Sequence, residues 1–444
     1  AMAGLIDDRL AVLLVILDGL GDRAAPVLGD RTPCEAARTP NLDALASRGV
    51  NGVHVPFGPG RSTSSEHAHW WLFGLGDVPF PGRAALEAYG VGAQPPLAEP
   101  MFHLALRSGR VEGDALRLGA RARSGADGED CERLFAALLG RDVDGVRFEL
   151  LPLRTGECVL VARGAGTRDV SDTDALFDHL HPWMRPRPLP EARDPARAAW
   201  FAGVLERWLL ESRRILVAHE VNVRRRAVGL PALDVAVTKW ASWLDPALPS
   251  FAAHTGLRGA AVTDTALYRG LARALRMPLV DLRYDESDPA GDMCRRLAAA
   301  ADLLLTHDFV HVHVKATDEA GHTKRPEYKR EVIEATDAGC EALVELSTRA
   351  VVAVTGDHAS PSVGGLLHSG DPTPFVVAAP GLRADAVRAF GERTALAGEC
   401  GRLAAADVLP YLAGLANRPF FLGHRPGAAR SVALPDAPEP MPTT

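Results

Sequence analysis

The feature that most constrains this chain is an uninterrupted apolar run that stops on an acid. In "LAVLLVILDGLGD" the residues from Leu10 to Leu17 are all apolar, and Asp18-Gly19 ends the run. A strand that is apolar on both faces needs cover on both faces, which a half-exposed antiparallel sheet does not supply. The pattern returns late in the chain. There "GDMCRRLAAAADLLLTH" reads as a helix, "DFVHVHVKATD" as a strand, "KREVIEATDAGCEALVELST" as one helix, and "AVVAVTGDH" and "TPFVVAAPG" as two more strands. Near the start, "TPNLDALASRGV" reads as a helix with Thr39 as N-cap, Pro40 at the first helical position and Gly49 just past the end, and the strand "NGVHVPF" follows. "LRGAAVTDTALYRGLARALRMPLVDL" reads as strand, helix, strand. This alternation predicts an α/β fold, a mostly parallel sheet with helices on both faces.

The middle of the chain breaks the alternation. Residues 88–249 are richer in Arg, Pro and Gly, carry half-exposed strands ("FHLALRSG", "VRFELLPLRTGECVLVARG") and include one long helix, "DPARAAWFAGVLERWLLESRRIL". They read as a smaller α/β domain inserted into a core made of residues 1–87 and 250–425, with residues 426–444 as an extended Pro/Ala-rich tail.

Composition narrows the functional classes. The net charge of -7 gives no reason to expect a nucleic-acid partner. Only Lys239, Lys315, Lys324 and Lys329 are lysines among the 49 basic residues, so an isolated arginine is weak evidence of a site. The six cysteines form no CxxC pair, which predicts neither a thiolate zinc site nor a disulfide framework. No apolar run approaches the ~18 residues of a membrane span and no signal-peptide pattern leads the chain, so a cytoplasmic protein without a membrane partner is expected.

In an open parallel sheet, reactive groups gather at the carboxyl ends of the strands. Asp18 ends the first strand, Asp318 and His322 follow the "FVHVHV" strand, Asp357 and His358 follow "AVVAVTG", and His368 precedes "TPFVV". Each alone is an ordinary strand-end residue. Together, carboxylates mixed with imidazoles suit Zn²⁺ or Mn²⁺, and three aspartates with three histidines suit two ions rather than one. Two such ions clamp a transferring phosphoryl group. The stretch "RSTSSEHAHWWLFG" supplies four consecutive hydroxyls, Ser62, Thr63, Ser64 and Ser65, ahead of His67, His69, Trp70 and Trp71. By themselves these residues read equally as loop, cap and core material.

"VILDGLGDR", "TPNLDALASRG", "HVKATDEAGH" and "TGDHASP…LLHSGDPTPF" together resemble the alkaline-phosphatase superfamily, and within it the cofactor-independent phosphoglycerate mutases of archaeal type. The resemblance runs from about residue 10 to 420 and includes "GRAALEAYGVG", "VSDTD" and "HEVNVRRRAVGLP" in the insert. It implies a three-layer core. It implies a serine nucleophile in a Ser-Glu-x-x-His segment, which here singles out Ser65 of "SEHAH". It implies one ion on Asp18, Ser65, Asp357 and His358, and another on Asp318, His322 and His368, with Lys315 holding a phosphate oxygen. It further implies Arg154 and Asp172 as catalytic groups of the insert, and Asp174, Arg225 and Arg226 as substrate-binding ones. Two divalent cations, Mn²⁺ or Zn²⁺, are the expected cofactors.

The insert departs from the resemblance. "MFHLALRS" stands where an arginine and then an asparagine are usual, Ala175 where Asp-Pro-His is usual, and "ALDVAVTKWAS", with Leu233, where an Ala-Asn step is usual. The expected activity is phosphoryl transfer through a phosphoserine on a small phosphorylated carboxylic acid, with interconversion of 3- and 2-phosphoglycerate as the default. The altered insert keeps a phosphatase or a phosphonate-pathway enzyme on the same scaffold as the alternative, and a non-catalytic binding protein as a remote one.

Overall fold

The structure, a computed structural model, describes residues 8–174, 181–420 and 441–443. Ala175 and nearly all of the tail expected over 426–444 lie outside the described residues. The chain forms two compact units, one of residues 1–80 with 249–444 and one of residues 81–248. The Arg83–Gly90 helix packs in the second unit, on the Pro100–Glu112 and Val235–Trp243 strands. Its apolar side, with Ala84, Ala85 and Ala88, meets Met101, Val159 and Leu244 of that unit's sheet, so residues 81–87 belong to the insert and not to the core as expected.

The first unit holds an eight-stranded sheet in the order Leu279–Asp281, Gly259–Thr263, Phe309–Val314, Val12–Leu17, Val351–Thr355, Thr373–Ala378, Val50–His54 and Gly401–Leu403. Only Thr373–Ala378 runs against its neighbours, and every other pairing is parallel. All six residues of Val12–Leu17 have no exposed surface, as the apolar run requires. Burying each such side chain is worth about 1.5–3 kcal/mol, which holds this strand in the middle of the sheet. Leu13, Val15 and Leu17 face helices Pro40–Ala46, Pro289–Leu303 and Pro326–Asp337 through Leu42, Leu45, Met293, Leu297 and Ile333. The opposite face carries His311 and His313, which pack against His69, Phe73 and Tyr268 of two other helices. The core is therefore the expected three-layer α/β arrangement.

One element differs from expectation. "KREVIEATDAGCEALVELST" is two helices, Pro326–Asp337 and Ala342–Leu346. Between them Gly339 passes so near the Pro289–Leu303 helix that a Cβ there would stand 2.3 Å from the Ala290 carbonyl oxygen. That close packing, invisible to periodicity, ends the first helix.

In the second unit a six-stranded antiparallel sheet includes Pro100–Glu112, Val146–Arg154, Glu157–Arg163 and Val235–Trp243. One face, with Phe102, Leu104, Leu106 and Leu160, is covered by the Pro195–Ala218 helix through Phe201, Leu205 and Trp208.

Candidate active site

Three strand-end segments of the first unit meet above the sheet. Asp18 follows Val12–Leu17 with no exposed surface, and Asp357 and His358 follow Val351–Thr355, both buried. Asp318 is in the first turn of the short Ala316–His322 helix that begins after Phe309–Val314. The parallel pairing of Val12–Leu17 with both flanking strands brings these ends to one edge.

Ser65 is the first residue of the Ser65–Leu72 helix and is buried. Its Oγ donates to Asp18 Oδ1 at 3.3 Å and lies 2.8 Å from His358 Nε2. Ser64, the N-cap residue, makes no side-chain capping bond, so the first-turn N–H groups of this helix are not closed off by their own cap. Such an end attracts an anion. Ser62, Thr63 and Ser64 are not placed against Asp18 or His358. The Thr63 carbonyl nevertheless takes part, accepting from His368 Nδ1 at 2.8 Å. That bond fixes the ring of His368 and turns its Nε2 toward Asp318 Oδ1, 3.5 Å away.

Two sets of ligand atoms converge. Asp18, Asp357 and His358 form one, and Asp318, His358 and His368 form the other, each set lying within 4.8 Å. His358 is shared, where the resemblance assigned it to one ion. His322 stands beside Asp318, with Nε2 to Oδ2 at 3.1 Å, but is not in the second set. Lys315 bridges the two sets, its Nζ 2.9 Å from Asp18 Oδ2 and 2.5 Å from Asp318 Oδ2. Its charge serves both carboxylates. A cleft of about 740 Å³, lined in part by Lys315, Thr265, Arg283 and Glu319, opens beside it.

The electrostatics fit cations. Burial alone would raise the Asp18 carboxyl, but the adjacent Lys315 ammonium and His313 hold it well below the usual carboxylate range. Burial and the charge of Asp18 push Asp357 well above that range. Two buried carboxylates forced apart in this way are both stabilised as anions by a cation placed between them. Asp357 Oδ2 is buried and accepts no hydrogen bond among the described residues. Burial also pushes His358 down to about 3, which keeps its imidazole neutral and able to ligate. The donor set therefore suits divalent metal.

Several supporting residues were not singled out from the sequence. His313 Nε2 and Tyr268 Oη both hold Asp18 Oδ2, at 2.8 and 3.0 Å. Ser360 Oγ donates to Asp318 Oδ1. Buried Lys329 ties the Asp18 loop to the Asp357 loop, donating to the Gly19, Gly21 and Ser360 carbonyls and to Asp22. His313 alone had a readable cue, its place one step before the strand end in "HVHV". His69 is buried and donates through Nδ1 to the Ser65 carbonyl. Trp70 is core, its Nε1 bonded to the Val78 carbonyl, while Trp71 packs on Phe57.

The insert residues read from the resemblance are differently placed. Arg225 is not open to a ligand: it is buried, and its Nη1 is 2.9 Å from both Asp127 Oδ1 and Asp130 Oδ2. It pins the Glu220–Ala227 helix to the Gly128–Ala136 helix, a structural task that corrects the substrate-binding expectation. Arg226 is partly exposed and donates to the Val217 carbonyl. Arg154 is mostly exposed and paired with Glu157 at 2.6 Å. Asp174 is buried between Arg107 and His181, at 2.8 and 2.9 Å. Asp172 accepts from the Trp240 backbone N–H at 3.1 Å, and burial pushes its carboxyl up to about 6.

A three-layer α/β core with carboxylates and imidazoles gathered at its strand ends defines a metal-dependent enzyme, and residues 11–411 match the metalloenzyme superfamily. Two curated relatives match over nine-tenths of the chain. The 2,3-bisphosphoglycerate-independent phosphoglycerate mutase of Thermoplasma volcanium is 33% identical over 415 residues, 93% of this chain and 98% of that protein. The protein of the same name from Pyrococcus furiosus is 32% identical over 411 residues, 91% and 97%. A solved structure, the cofactor-independent phosphoglycerate mutase of Thermoplasma acidophilum, superposes with a TM-score of 0.63 at 30% identity, covering 92% of this chain and 100% of that one. The chain belongs to the cofactor-independent phosphoglycerate mutase family.

Proposed function

We propose that the protein moves a phosphoryl group within a small phosphorylated carboxylic acid, interconverting 3- and 2-phosphoglycerate through a phosphoserine on Ser65 and with two divalent ions. The observation that best supports this is the approach of Asp18 and His358 to one hydroxyl, Ser65 Oγ, at an uncapped helix start. The names of the relatives supply the substrate class.

Asp18, Ser65, Asp357 and His358 would hold one ion, and Asp318, His322 and His368 the other, with His358 in reach of both. Bound there, Mn²⁺ or Zn²⁺ supplies positive charge to the transferring phosphoryl oxygens and favours the ionised seryl oxygen. Ser65 Oγ would attack phosphorus from the helix start, giving up its proton along the bond to Asp18, as the substrate's P–O ester bond breaks and its oxygen leaves and is protonated to the free hydroxyl; the first-turn N–H groups receive the phosphoryl oxygens. Lys315, between Asp18 and Asp318, would donate to a phosphoryl oxygen beside them. Return of the group to the other hydroxyl of the retained product completes the isomerisation. In this reading Arg154 and Asp172 of the insert are catalytic groups and Arg226 and Asp174 bind substrate, as the resemblance implies.

One observation favours a second reading. Arg225 and Asp174 are already committed to partners inside the insert, so the acid end is held differently from what the resemblance implies. A related phosphorylated or phosphonate acid, or simple phosphate release, would follow. Phosphorus NMR of 3-phosphoglycerate with the Mn-loaded protein separates these. A 2-phosphoglycerate signal supports the mutase, free phosphate means a phosphatase, and an unchanged spectrum rejects this substrate.

A further inference from the structure

The Ala266–Ala274 helix follows the Gly259–Thr263 strand, which pairs in parallel with Phe309–Val314 as that strand does with Val12–Leu17. Its first turn therefore stands at the same sheet edge as Asp18. Thr265 caps the helix, its side chain accepting from the Tyr268 N–H. Tyr268 and Leu271 are three apart and both buried, the spacing of an ordinary core stripe. The hydroxyl sets Tyr268 apart from such a stripe. A buried phenol needs a hydrogen-bond partner, and a phenylalanine would fill the same space without that need. Here the partner is Asp18, whose Oδ2 accepts from Tyr268 Oη at 3.0 Å.

The two oxygens of Asp18 have different surroundings. Oδ2 receives His313 Nε2 at 2.8 Å, Lys315 Nζ at 2.9 Å and Tyr268 Oη at 3.0 Å. A carboxylate oxygen offers about two lone-pair directions, so three donors occupy Oδ2 fully. Oδ1 is left to Ser65 Oγ at 3.3 Å and His358 Nε2 at 3.4 Å. Of the three donors on Oδ2, Lys315 also serves Asp318 and is partly exposed. His313 and Tyr268 are buried, one on a strand and one on a helix, and the standing hold on Oδ2 falls to them. The Tyr268 ring lies on His313, with centroids 3.5 Å apart, and meets His69 edge-on at 4.6 Å. His69 Nδ1 is in turn 2.8 Å from the Ser65 carbonyl. One side chain thus touches the ring that holds Asp18 and the ring that holds the Ser65 backbone.

We propose that Tyr268 is a positioning residue: acting through Asp18, its hydroxyl holds Oδ2 so that Oδ1 stays turned to Ser65 Oγ and to the divalent-ion set of Asp357 and His358. The proposal rests on the reading of Ser65 as a nucleophile beside a divalent ion. Without the hydroxyl, Oδ2 loses one of its two buried donors, and the carboxylate is free to turn about its Cβ–Cγ bond. Ser65 Oγ then loses a fixed acceptor, which slows the chemical step and leaves the hold on the rest of the substrate unchanged.

The test compares the full-length wild type with Tyr268→Phe, which keeps the ring and removes only Oη. With Mn²⁺ and 3-phosphoglycerate, kcat is expected to fall about 10- to 100-fold while KM stays within about twofold. In calorimetric titration with Mn²⁺, affinity at the Asp18 set should fall about tenfold. In an Asp18→Asn background the same substitution should change Mn²⁺ binding no further, because the two residues act as one unit. A side chain that only fills the core would lower the melting temperature of the metal-free protein and leave kcat and metal affinity alone, and that result would overturn the proposal. So would an equal loss of affinity with and without the Asp18 carboxylate. Should Tyr268→Phe fail to fold, 3-fluorotyrosine placed at residue 268 alone gives a second reading by fluorine NMR. Its resonance is expected to shift on addition of Zn²⁺ and to stay fixed in Asp18→Asn; a resonance that ignores Zn²⁺ in the wild type would overturn the proposal. Metal affinity that depends on Tyr268 through Asp18, in a protein that leaves 3-phosphoglycerate unchanged, would uphold the role of Tyr268 and reject the mutase reading.

Discussion

Among residues, a seryl hydroxyl is a poor nucleophile until its surroundings stabilise the oxyanion. Ser65 is the one hydroxyl of its run placed against Asp18 and His358. Ser65→Ala is therefore expected to lower turnover by on the order of 10³-fold or more while leaving metal content nearly intact, because Asp18, Asp357 and His358 remain, read by steady-state kinetics and elemental analysis. Full metal occupancy with near-normal turnover would reject Ser65 as nucleophile. A second residue tests pH dependence away from the site. Glu392 is buried, and burial pushes its carboxyl up to about 7 against the pull of its bond from Thr32 Oγ1. A carboxyl raised on folding contributes stability in its protonated form. The contribution is complete below about pH 4 and is lost as pH rises through about 7. Glu392→Gln keeps the acceptor and removes the titration. Thermal melts at pH 5 and pH 8 should show the wild type losing up to about 3 kcal/mol relative to this variant at the higher pH. Equal shifts at both pH values would show that Glu392 does not titrate in this range.

Among elements, the site is made of strand ends and the turns that follow them. Gly19, directly after Asp18, has φ +61, and a Cβ there would stand 2.5 Å from Ser360 Oγ and 2.6 Å from Asp318 Oδ1. Gly19→Ala should thus displace both metal-ligand segments at once. We expect at least a tenfold loss of metal affinity by titration calorimetry and a fall in stability of about 1–3 kcal/mol by chemical denaturation. Wild-type metal binding in this variant would mean that the turn yields without moving Asp318. The strands that frame the turn were legible, because a run such as Leu10–Leu17 can only be buried on both sides. The break of the 326–346 stretch into two helices was not, because it depends on Gly339 meeting the Ala290 carbonyl of another helix.

For the whole molecule, the two carboxylate sets place buried negative charge on segments far apart in the chain, so metal bound to them should join the core's stability to its activity. Chelation should abolish turnover and lower the apparent unfolding free energy by about 4 kcal/mol relative to protein at a thousandfold excess of metal over Kd. Calorimetry with and without Mn²⁺ reads this, and an unchanged melt would reject metal at the buried Asp18 and Asp357. The sequence by itself determined the α/β class, the strand ends and the acidic and imidazole residues on them, since burial periodicity and residue chemistry are local properties. The resemblance added the choice of Ser65 from four neighbouring hydroxyls. Only the tertiary structure decided that His358 reaches both ligand sets, that Lys315 lies between Asp18 and Asp318, and that Arg225 is spent on Asp127 and Asp130. Those outcomes depend on distances between side chains tens to hundreds of residues apart, which are fixed when the sheet registers and helices pack and which no local pattern encodes.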